Sequence, residues 1–529
     1  MTERLTLSFS TLLLAAIALL PIAAMLSETV TADGAFSLRA YQVLLTSEGK
    51  LIPLMGRSLQ LALLTASIAT LIGVPLGILL GKTDLPLRGS LTLLLTAPLL
   101  IPPYVLAVAW FSILGRTGVF GGMLPDAWSQ KISSEFFGLW GCTFMLASAF
   151  MPIAMLLTIA LLRTVNPRLE NAARLVSGWS SVLFRITLPL VLPAIAFAAV
   201  LIFLLSLGEI GVPMYLRFSV YPTEILTQFA AFYDFRTATV AAVPLLVVIL
   251  VILGLQAGLH RRVLQLVRLT PTEETVQISL GPWRFPLLAL VLAFAVVVVA
   301  SPLGALLAQS WSLATYQIAL TRAGDSVLRS LAFAAIGATF LAVLGFFWGY
   351  LTERRTLSFW WTNEWLAFLL LALPGSVLGI GLISVWNTAA TNFIYASPVI
   401  LILGYLTQYA ILPMRVVSAS LAAVPRSLEE AAWLSGAGWF ISVGRIVAPL
   451  ASRGLFVAWL ISYVFSLRDV AMSIVVYPPG YDTLPVRILT LMANGAPSLI
   501  AALCIILIAI TIVPLGAVGL WLKLGANRS

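Results

Sequence analysis

The sequence is poor in charged residues. Only 9% of its 529 residues are Asp, Glu, Lys or Arg, against about 25% in ordinary soluble proteins. Because 61% of the residues are hydrophobic and the mean hydropathy is +1.06, a water-soluble globular protein is excluded. The apolar residues recur along the whole length, so the sequence predicts a polytopic protein in a lipid bilayer.

Histidine and cysteine are almost absent, which limits the chemistry that the chain can perform. The single histidine, His260, stands beside Arg261 and Arg262 just after an apolar run, where a solvated surface residue is expected. Cys142 and Cys504 lie far apart inside apolar runs, so their spacing suits neither a disulfide framework nor a metal site. An enzyme that needs a histidine base has only His260 as a candidate, and we expect no catalytic residue and no metal cofactor.

Twelve apolar runs are long enough to cross a hydrocarbon core of about 30 Å as helices. They lie near residues 7–27, 58–81, 91–115, 139–162, 188–207, 237–258, 287–308, 330–352, 366–386, 398–421, 453–467 and 497–521. The first run follows Arg4 and resembles a signal peptide. It is nevertheless long enough to span the bilayer, and we expect it to be a retained first transmembrane helix.

The positions of the basic residues predict the orientation of the chain. If the N-terminus is cytoplasmic, most of the 30 lysines and arginines fall in loops on the cytoplasmic side. The net charge of +10 is therefore mainly a topology signal, and no nucleic-acid partner is expected. The sequence predicts a multi-pass membrane protein with both termini in the cytoplasm.

The second half of the sequence repeats the first. At one constant offset Arg57, Ser58, Leu59 and Pro102 recur as Arg329, Ser330, Leu331 and Pro374. At a second offset Trp179, Arg185, Pro189 and Glu209 correspond to Trp439, Arg445, Pro449 and Asp469. Each half carries six spans, an even number, so the repeat is parallel. The expected fold is an all-α integral membrane protein with modules at 1–259 and 287–529, joined by a cytoplasmic linker at 260–286.

Two cytoplasmic loops at equivalent positions of the halves have the pattern of short helices. They read PRLENAARLVSGWSSVLFRITLPL from Pro167 and PRSLEEAAWLSGAGWFISVGRIVAPL from Pro425. Acids and alanines start each helix, a glycine ends it and an aromatic residue follows. A single loop of this kind is explained by an amphipathic linker. Two such loops favour docking of each helix into a groove on a partner.

These loops resemble the EAA motif of the membrane-spanning subunits of binding-protein-dependent ABC importers. The second copy has Glu430, Ala431, Ala432 and Gly436, whereas the first has Asn171 at the Glu position and Ser177 before Gly178. In that family the loop is a coupling helix that fits a cleft on the ATPase subunit, so the resemblance implies two docking points for an ATPase dimer. The coupling residues that it implies are Glu170, Asn171, Ala172, Ala173, Gly178 and Trp179 in loop 165–186, and Glu429, Glu430, Ala431, Ala432, Gly436 and Trp439 in loop 424–446.

A tandem of two six-span modules in one chain is similar to the ferric-iron and thiamine branch of these type I importers. The stretches SLGEIGVPMYL from Ser206 and SLRDVAMSIVVYPPGYDTLPVRI from Ser466 resemble ferric-iron permeases in particular. The resemblance implies import, across the bacterial inner membrane, of a solute delivered by a periplasmic binding protein. Ferric iron is the first candidate, and thiamine or another small solute is the alternative.

No ATP-binding site is expected in this chain. The segment GILLGKT from Gly77 has one residue too few between its glycines to form a phosphate-binding loop, and it ends an apolar run. ATP and Mg²⁺ are therefore expected on a separate ATPase, and no cofactor on this chain.

Two pairs of residues are candidates for the solute pathway. Glu209 and Asp469 are predicted at the outer ends of the fifth and eleventh spans, where paired carboxylates would transiently ligate Fe(III). The alternative, which is the more frequent role of such acids, is that they cap helix ends, pair with Arg468 or contact the binding protein. Tyr104 and Ser376 follow prolines in the third and ninth spans and are candidates to line the path, because interrupted helices are tolerated beside a cavity.

Two rival functions make different demands on the sequence. An ion-coupled secondary transporter of twelve spans needs acids near the middle of the bilayer and gives no reason for paired loop helices. A membrane-embedded transferase needs a polar catalytic cluster, which one histidine and few intramembrane acids do not provide.

Overall fold

The computed structural model describes residues 2–32, 35–36, 41–42, 49–115, 118, 125, 130–131, 134–230, 235–267 and 276–526. Its elements are helices except for two-residue strands that pair Thr31–Ala32 with Ala35–Phe36. Within the described residues, 8 helices are long and apolar enough to cross a membrane, and bent helix pairs raise the number of candidate spans to 12. The predicted all-α membrane fold is thereby confirmed, and the twelve predicted spans are the upper end of the range of 8 to 12.

Ten helices of the first half can be given with their bounds. They are α1 (Thr2–Val30), α2 (Leu51–Lys82), α3 (Arg88–Leu100), α4 (Pro103–Leu114), α5 (Leu139–Leu162), α6 (Pro167–Arg174), α7 (Trp179–Leu207), α8 (Gly211–Tyr215), α9 (Tyr221–Ala230) and α10 (Phe235–Val267). The predicted linker begins at residue 260, whereas α10 continues to Val267. The side chain of His260 and residues 268–275 lie outside what the structure describes.

The second half repeats this series. It contains α11 (Gly281–Gln309), α12 (Leu313–Arg354), α13 (Trp360–Ala372), α14 (Gly375–Trp386), α15 (Asn392–Tyr395), α16 (Val399–Tyr409), α17 (Ile411–Ala422), α18 (Arg426–Leu434), α19 (Trp439–Leu450), α20 (Ser452–Leu467), α21 (Ser473–Val476), α22 (Leu484–Leu491) and α23 (Pro497–Ala526). The repeat extends to irregularities, since α7 and α19 contain π-helical turns at the equivalent segments Leu183–Thr187 and Val443–Val447. We call the end of the molecule at which α6 and α18 lie the loop side.

Proline breaks the third and ninth spans at equivalent positions. Pro102 and Pro374 share the backbone angles φ −56° and ψ 136°, and Ile101 and Leu373 before them are extended. Proline disfavours helical geometry in the preceding residue and lacks an N–H for the helical ladder. The axes of α3 and α4 therefore differ by 98°, and those of α13 and α14 by 108°.

The repeated Arg-Ser-Leu motif positions a helix in each half. The hydroxyl of Ser58 in α2 accepts a hydrogen bond of 2.7 Å from the backbone N–H of Tyr221, which begins α9. Ser330 in α12 accepts one of 2.6 Å from the N–H of Leu484, which begins α22. A serine acceptor satisfies one of the N–H groups that a helix start leaves unpaired. Ser58 and Ser330 therefore position the start of a helix in their respective halves.

Glycines bring neighbouring helices into close contact. A Cβ atom on Gly73 or Gly77 of α2 would lie 2.7 Å from atoms of α5. At the equivalent Gly345 and Gly349 of α12, a Cβ would lie 2.6 Å and 2.8 Å from atoms of α17. Small residues four apart are typical of closely packed membrane helices, and here they join the same pair of spans in each half.

The first helix of each half packs against the other half. The indole N–H of Trp348 in α12 donates to the Ser10 carbonyl of α1 at 2.9 Å. Asn363 of α13 donates to Thr11 at 3.3 Å. In return α11 packs against α3 and α4, and both large hydrophobic clusters mix residues of the two halves. The halves therefore exchange their first helices, although the sequence assigned α1 to the module at 1–259.

Candidate functional site

The loop helix α6 is anchored to the end of α2 by a buried ion pair. The ammonium of Lys82 donates to Glu170 Oε2 at 2.6 Å, and both side chains are almost inaccessible. The other oxygen, Glu170 Oε1, accepts a hydrogen bond of 2.8 Å from the Thr187 hydroxyl. A buried charge is tolerated when it is paired and its remaining lone pairs are satisfied, as Glu170 is here.

The second loop helix has the equivalent anchor with different residues. Arg354, at the position that corresponds to Lys82, lies 2.6 Å from Glu429 Oε1. The Tyr350 hydroxyl donates to Glu429 Oε2 at 2.6 Å, and the Trp439 indole donates to that hydroxyl at 3.3 Å. Glu170 and Glu429 are thus equivalent residues that face into the protein. They hold the loop helices in place and offer no exposed carboxylate to a partner.

The rest of the predicted coupling residues divide between surface and interior. Asn171 and Ala172 of α6 are exposed and Ala173 is half-buried. In α18, Glu430 and Ala431 are exposed, whereas Ala432 is buried against the span. The exposed residues keep the predicted role of a docking face, and this role stays a prediction.

The two tryptophans among the predicted coupling residues do not project from the protein. Trp439 is only 6% exposed and packs edge-on against Tyr350. Trp179 is half-buried beneath the guanidinium of Arg174, whose carbon lies 4.5 Å from the ring centre. Both indoles follow an extended glycine that leads the chain back to the membrane, which explains why they face inward.

Other apolar side chains project at the tips of both loops. Leu175 and Val176 follow α6, each 88% exposed, and Leu434 at the end of α18 is 91% exposed beside the half-exposed Trp433. We call these four residues the loop tips. In both loops they are a pair of adjacent apolar residues directly before a Ser-Gly dipeptide, and this is the sequence pattern that indicates them.

The glycines of the two loops are not equivalent in the way that the sequence suggests. Gly436 has φ +82° and ends α18 in the left-handed conformation that glycine favours. Gly178 has φ −76° and precedes Trp179, as Gly438 with φ −68° precedes Trp439. Gly178 therefore corresponds to Gly438, and the first loop turns without a left-handed glycine.

A cavity of about 220 Å³ lies between the halves, beside both helix breaks. Glu209, Asp469 and Tyr104 all line it, so the structure brings three of the four predicted pathway residues together. Ser376 is fully buried next to Gly375 of the cavity wall. The other lining residues come from both halves and include Leu99, Pro102, Pro103, Phe150, Gly208, Pro374, Gln408, Tyr409, Phe465 and Arg468.

The cavity lies away from the loop side, and the predicted position of the acids at an outer mouth stays a prediction. The 13 residues of α3 separate its wall from the loop side, and at 1.5 Å per residue this is about 20 Å. Asp469 is only 6% exposed. The spans that precede the two acids end within the protein, because short helices follow each acid before the chain continues.

Each acid begins one of these short helices. Glu209 Oε1 accepts a hydrogen bond of 2.9 Å from the N–H of Gly211, the first residue of α8. Asp469 Oδ2 accepts from the N–H and the hydroxyl of Ser473 at 2.9 Å and 2.6 Å, and its Oδ1 accepts from the Tyr409 hydroxyl at 2.7 Å. In the part of the chain that the structure describes, no group of three or more His, Cys, Asp or Glu residues is placed to hold a metal ion.

Comparison with known proteins agrees with this architecture. The family described as binding-protein-dependent transport system inner membrane component matches residues 73–265. The ferric transport system permease protein FbpB of Actinobacillus pleuropneumoniae is 25% identical over 406 residues, which cover 73% of this chain and 58% of FbpB. The molybdenum transport system permease protein ModB of Mycobacterium tuberculosis is 34% identical over 211 residues, which cover 38% of this chain and 76% of ModB.

A protein of Haemophilus influenzae that also bears the name of a ferric transport permease, FbpB 1, is 25% identical over 412 residues. The similarity covers 74% of this chain and 64% of that protein. This chain therefore spans about three fifths of the length of its ferric-transport relatives.

Proposed function

Since the chain belongs to the family of inner membrane components of binding-protein-dependent transport systems, we propose that it is the membrane-spanning permease of an ATP-driven importer. The observation that carries this proposal is the pair of loop helices, each anchored by a buried ion pair and ending in exposed apolar side chains. Two equivalent tips on one side of the molecule fit a partner with two equivalent clefts, such as a dimer of ATPase subunits.

In this importer, other proteins supply the energy and deliver the solute. Two copies of an ABC ATPase subunit bind the loop tips and hold ATP and Mg²⁺. A periplasmic solute-binding protein docks on the opposite side. The loop side is then cytoplasmic, in agreement with the excess of basic residues there, and both termini lie in the cytoplasm.

A continuous series of contacts connects the loops to the cavity. The Lys82–Glu170 pair joins α6 to α2, the glycines of α2 pack α2 directly against α5, and Phe150 of α5 lines the cavity. Because these contacts are buried and close-packed, a displacement of α6 moves α2 and α5 with it. Closure of the ATPase dimer would in this way open and close the cavity alternately to the two sides of the membrane.

Ferric iron is the solute that we propose, because the relatives that cover most of the chain carry the name of ferric transport systems. The prediction that Glu209 and Asp469 transiently ligate iron belongs to this proposal. Uptake of radioiron by the reconstituted permease, ATPase and binding protein tests it. Thiamine and molybdate, supplied with their own binding proteins, are the competing solutes in the same assay.

Substitution at the loop tips tests the docking site. Leu434→Asp and Leu175→Asp place a charge on side chains that are already exposed, so both variants are expected to fold while co-purification of the ATPase falls about tenfold or more. Leu87→Asp is the matched control, because Leu87 is 62% exposed in another loop on the same side. Full retention of the ATPase by both tip variants contradicts the proposal.

An ion-coupled secondary transporter gives the opposite result in the same vesicles. Such a protein would accumulate solute when an ion gradient is imposed and would not respond to the ATPase or to ATP. Uptake that requires ATP and is unaffected by collapse of ion gradients supports the importer.

A further inference from the structure

A groove on the surface of the first half lies between three membrane-spanning helices. It has a volume of about 530 Å³, and residues of α2, α7 and α10 line it. Among the described residues that line it none is charged, and all except Ser67 and Thr70 are apolar. Leu63 and Leu71 at its edge are 60% and 74% exposed, so the groove is continuous with the surface that these spans present to the bilayer. An occupant of the groove must therefore be apolar and uncharged.

At the equivalent place in the second half, aromatic side chains of α20 fill the space. Ala199 and Phe203 of α7 correspond to Trp459 and Tyr463 in the repeat. The Trp459 ring stacks on the Tyr463 ring, with the ring centres 5.4 Å apart. Both rings belong to the same apolar cluster as Ala338 of α12. One half thus covers this face with its own rings, and the other half has an alanine where the larger ring stands.

Two hydrogen bonds hold the rings of the second half in place. The indole N–H of Trp459 donates to the Thr339 hydroxyl of α12 at 3.0 Å, and the Tyr463 hydroxyl donates to a carbonyl of α23 at 3.4 Å. In the first half Ser67 stands at the position of Thr339, but Ala199 has no ring that could reach it. The helix α23 also packs mainly against α12, whereas the equivalent α10 packs against α7. These differences leave the groove open in the first half.

The groove lies in the half of the bilayer that is remote from the loop side. Leu71 and Leu63 precede Lys82, at the loop-side end of α2, by 11 and 19 residues, or about 17 Å and 29 Å along the helix. Because the hydrocarbon core is about 30 Å thick, these residues lie beyond its midplane. The molecules available to fill a groove at this depth are the hydrocarbon chains of the remote leaflet.

We propose that the groove binds an acyl chain of a phospholipid from the leaflet remote from the loop side. A methylene chain is apolar and flexible, and it supplies the dispersion contacts that Trp459 and Tyr463 supply in the other half. Since no described lining residue is charged, the site recognises the chain and not the head group. The bound chain completes the wall between α2 and α10. This site does not depend on the transport function, because it follows from the packing of the spans.

Photolabelling in nanodiscs that each hold one full-length chain tests the site. The probe is a phosphatidylcholine with a diazirine on one acyl chain, added in trace amount to phosphatidylcholine nanodiscs, and mass spectrometry of peptides locates the label. We expect residues 63–71 to carry about fivefold more label than the equivalent residues 335–343. A diazirine at the end of the chain should label Leu71, and one near the ester should label Leu63.

Reciprocal substitutions should exchange the behaviour of the two halves. Ala199→Trp supplies the missing ring, and the label on residues 63–71 should fall to the level of residues 335–343. Trp459→Ala opens the equivalent space and should raise the label on residues 335–343. Leu12→Trp is the control, because Leu12 is 68% exposed on α1 and does not line the groove. This variant should leave both labels unchanged.

The outcomes separate a bound acyl chain from ordinary contact with lipid. Equal labelling of the two segments in the wild type, or unchanged labelling of a folded Ala199→Trp protein, overturns the proposal. If Ala199→Trp does not fold, Ala199→Phe decides, since its smaller ring should also lower the label in the groove.

Two further results would identify a different occupant. If the diazirine at the chain end labels Leu63 and the one near the ester labels Leu71, the chain comes from the other leaflet and the proposal is wrong. Weak labelling of the groove in nanodiscs, together with cross-links between chains through the groove in proteoliposomes, identifies a second copy of this protein and also overturns it. None of these measurements uses the ATPase, so failure of the proposed transport function would leave them unchanged.

Discussion

Removal of one partner should destabilise the protein more at the buried pairs Lys82–Glu170 and Arg354–Glu429 than at an exposed ion pair. Removal of one partner of a buried pair leaves an uncompensated charge. Removal of one partner of an exposed pair loses little, because water replaces it. The anchors of the loop helices are therefore the ion pairs on which the position of each loop depends.

We expect Lys82→Met to lower the free energy of unfolding by about 3–5 kcal/mol. The double variant Lys82→Met, Glu170→Gln should recover part of this loss, because no charge is then left buried alone. Thermal unfolding in one detergent, arranged as a double-mutant cycle, measures both effects. The control is Asp325→Asn, which removes the exposed partner of Arg329, 3.6 Å away, and should cost about 1 kcal/mol or less. A stable Lys82→Met protein would show that the pair does not hold α6.

At the residue scale the sequence predicted where the loop helices lie but not which of their side chains face outward. The order Glu-Asn-Ala-Ala is compatible with several rotations of α6 about its axis. The partner that fixes the rotation is Lys82, which is remote in sequence and looked like an ordinary end of a membrane span. Trp439 is likewise a predicted coupling residue whose orientation depends on a residue remote in sequence, since Tyr350 holds its indole inside.

At the scale of helices, the paired glycines of α2 and α12 set how closely neighbouring spans approach. Gly77 faces Thr158 of α5, and Gly349 faces Met414 and Val417 of α17. Neither contact leaves space for a methyl group. The distance between these helices is therefore fixed by backbone atoms, which is a rigid connection between the loop side and the cavity.

Gly77→Ala and Gly349→Ala are each expected to lower the free energy of unfolding by about 1–3 kcal/mol through overpacking. The matched control is Gly254→Ala in α10, where an added Cβ meets nothing within 4 Å. That change should be neutral or stabilising by up to about 1 kcal/mol, since alanine favours the helix more than glycine does. Melting temperatures of the three variants under identical conditions provide the test. Equal effects at all three glycines would contradict close helix contact as the cause.

The sequence predicted the helical elements well where apolar runs were long, and it located both proline breaks. It could not predict bends of nearly a right angle at Pro102 and Pro374, because proline only interrupts a helix and the packing of α4 and α14 decides its new direction. The place of Glu209 and Asp469 in the cavity wall depends on those bends and on the short helices that follow each acid. Their predicted position at an outer mouth stays a prediction.

At the scale of the whole molecule, α1 packs against the second half and α11 packs against the first, so each half covers a helix of the other. Leu14 of α1 is fully buried, whereas Leu12 on the same helix is 68% exposed. The hydroxyl of Ser384 in α14 also donates to Glu28 of α1 at 2.8 Å. An internal repeat in sequence indicates two similar halves, but it carries no information about which half covers which helix.

We expect the halves to stay together when the chain is cut between them. A protease site inserted between residues 270 and 271 allows cleavage after purification, and the products should co-elute in size-exclusion chromatography. Leu14→Trp overpacks the contact of α1 with the second half and should lower the melting temperature of the cut protein, whereas Leu12→Trp should not. Separation of the wild-type halves on cleavage would show that the exchanged helices contribute little to their association.

The exchange of α1 also means that some of its contacts form only long after it has been synthesised. Trp348 follows its α1 partner Ser10 by 338 residues, and at about 5–20 residues per second the ribosome needs roughly 17–70 s to reach it. During that interval α1 has only lipid around the face that the second half later covers. The hydroxyls of Ser10 and Thr11 already donate to the Leu7 carbonyl of their own helix, each at 2.9 Å. Both hydroxyls are therefore satisfied within α1 before the second half covers this face.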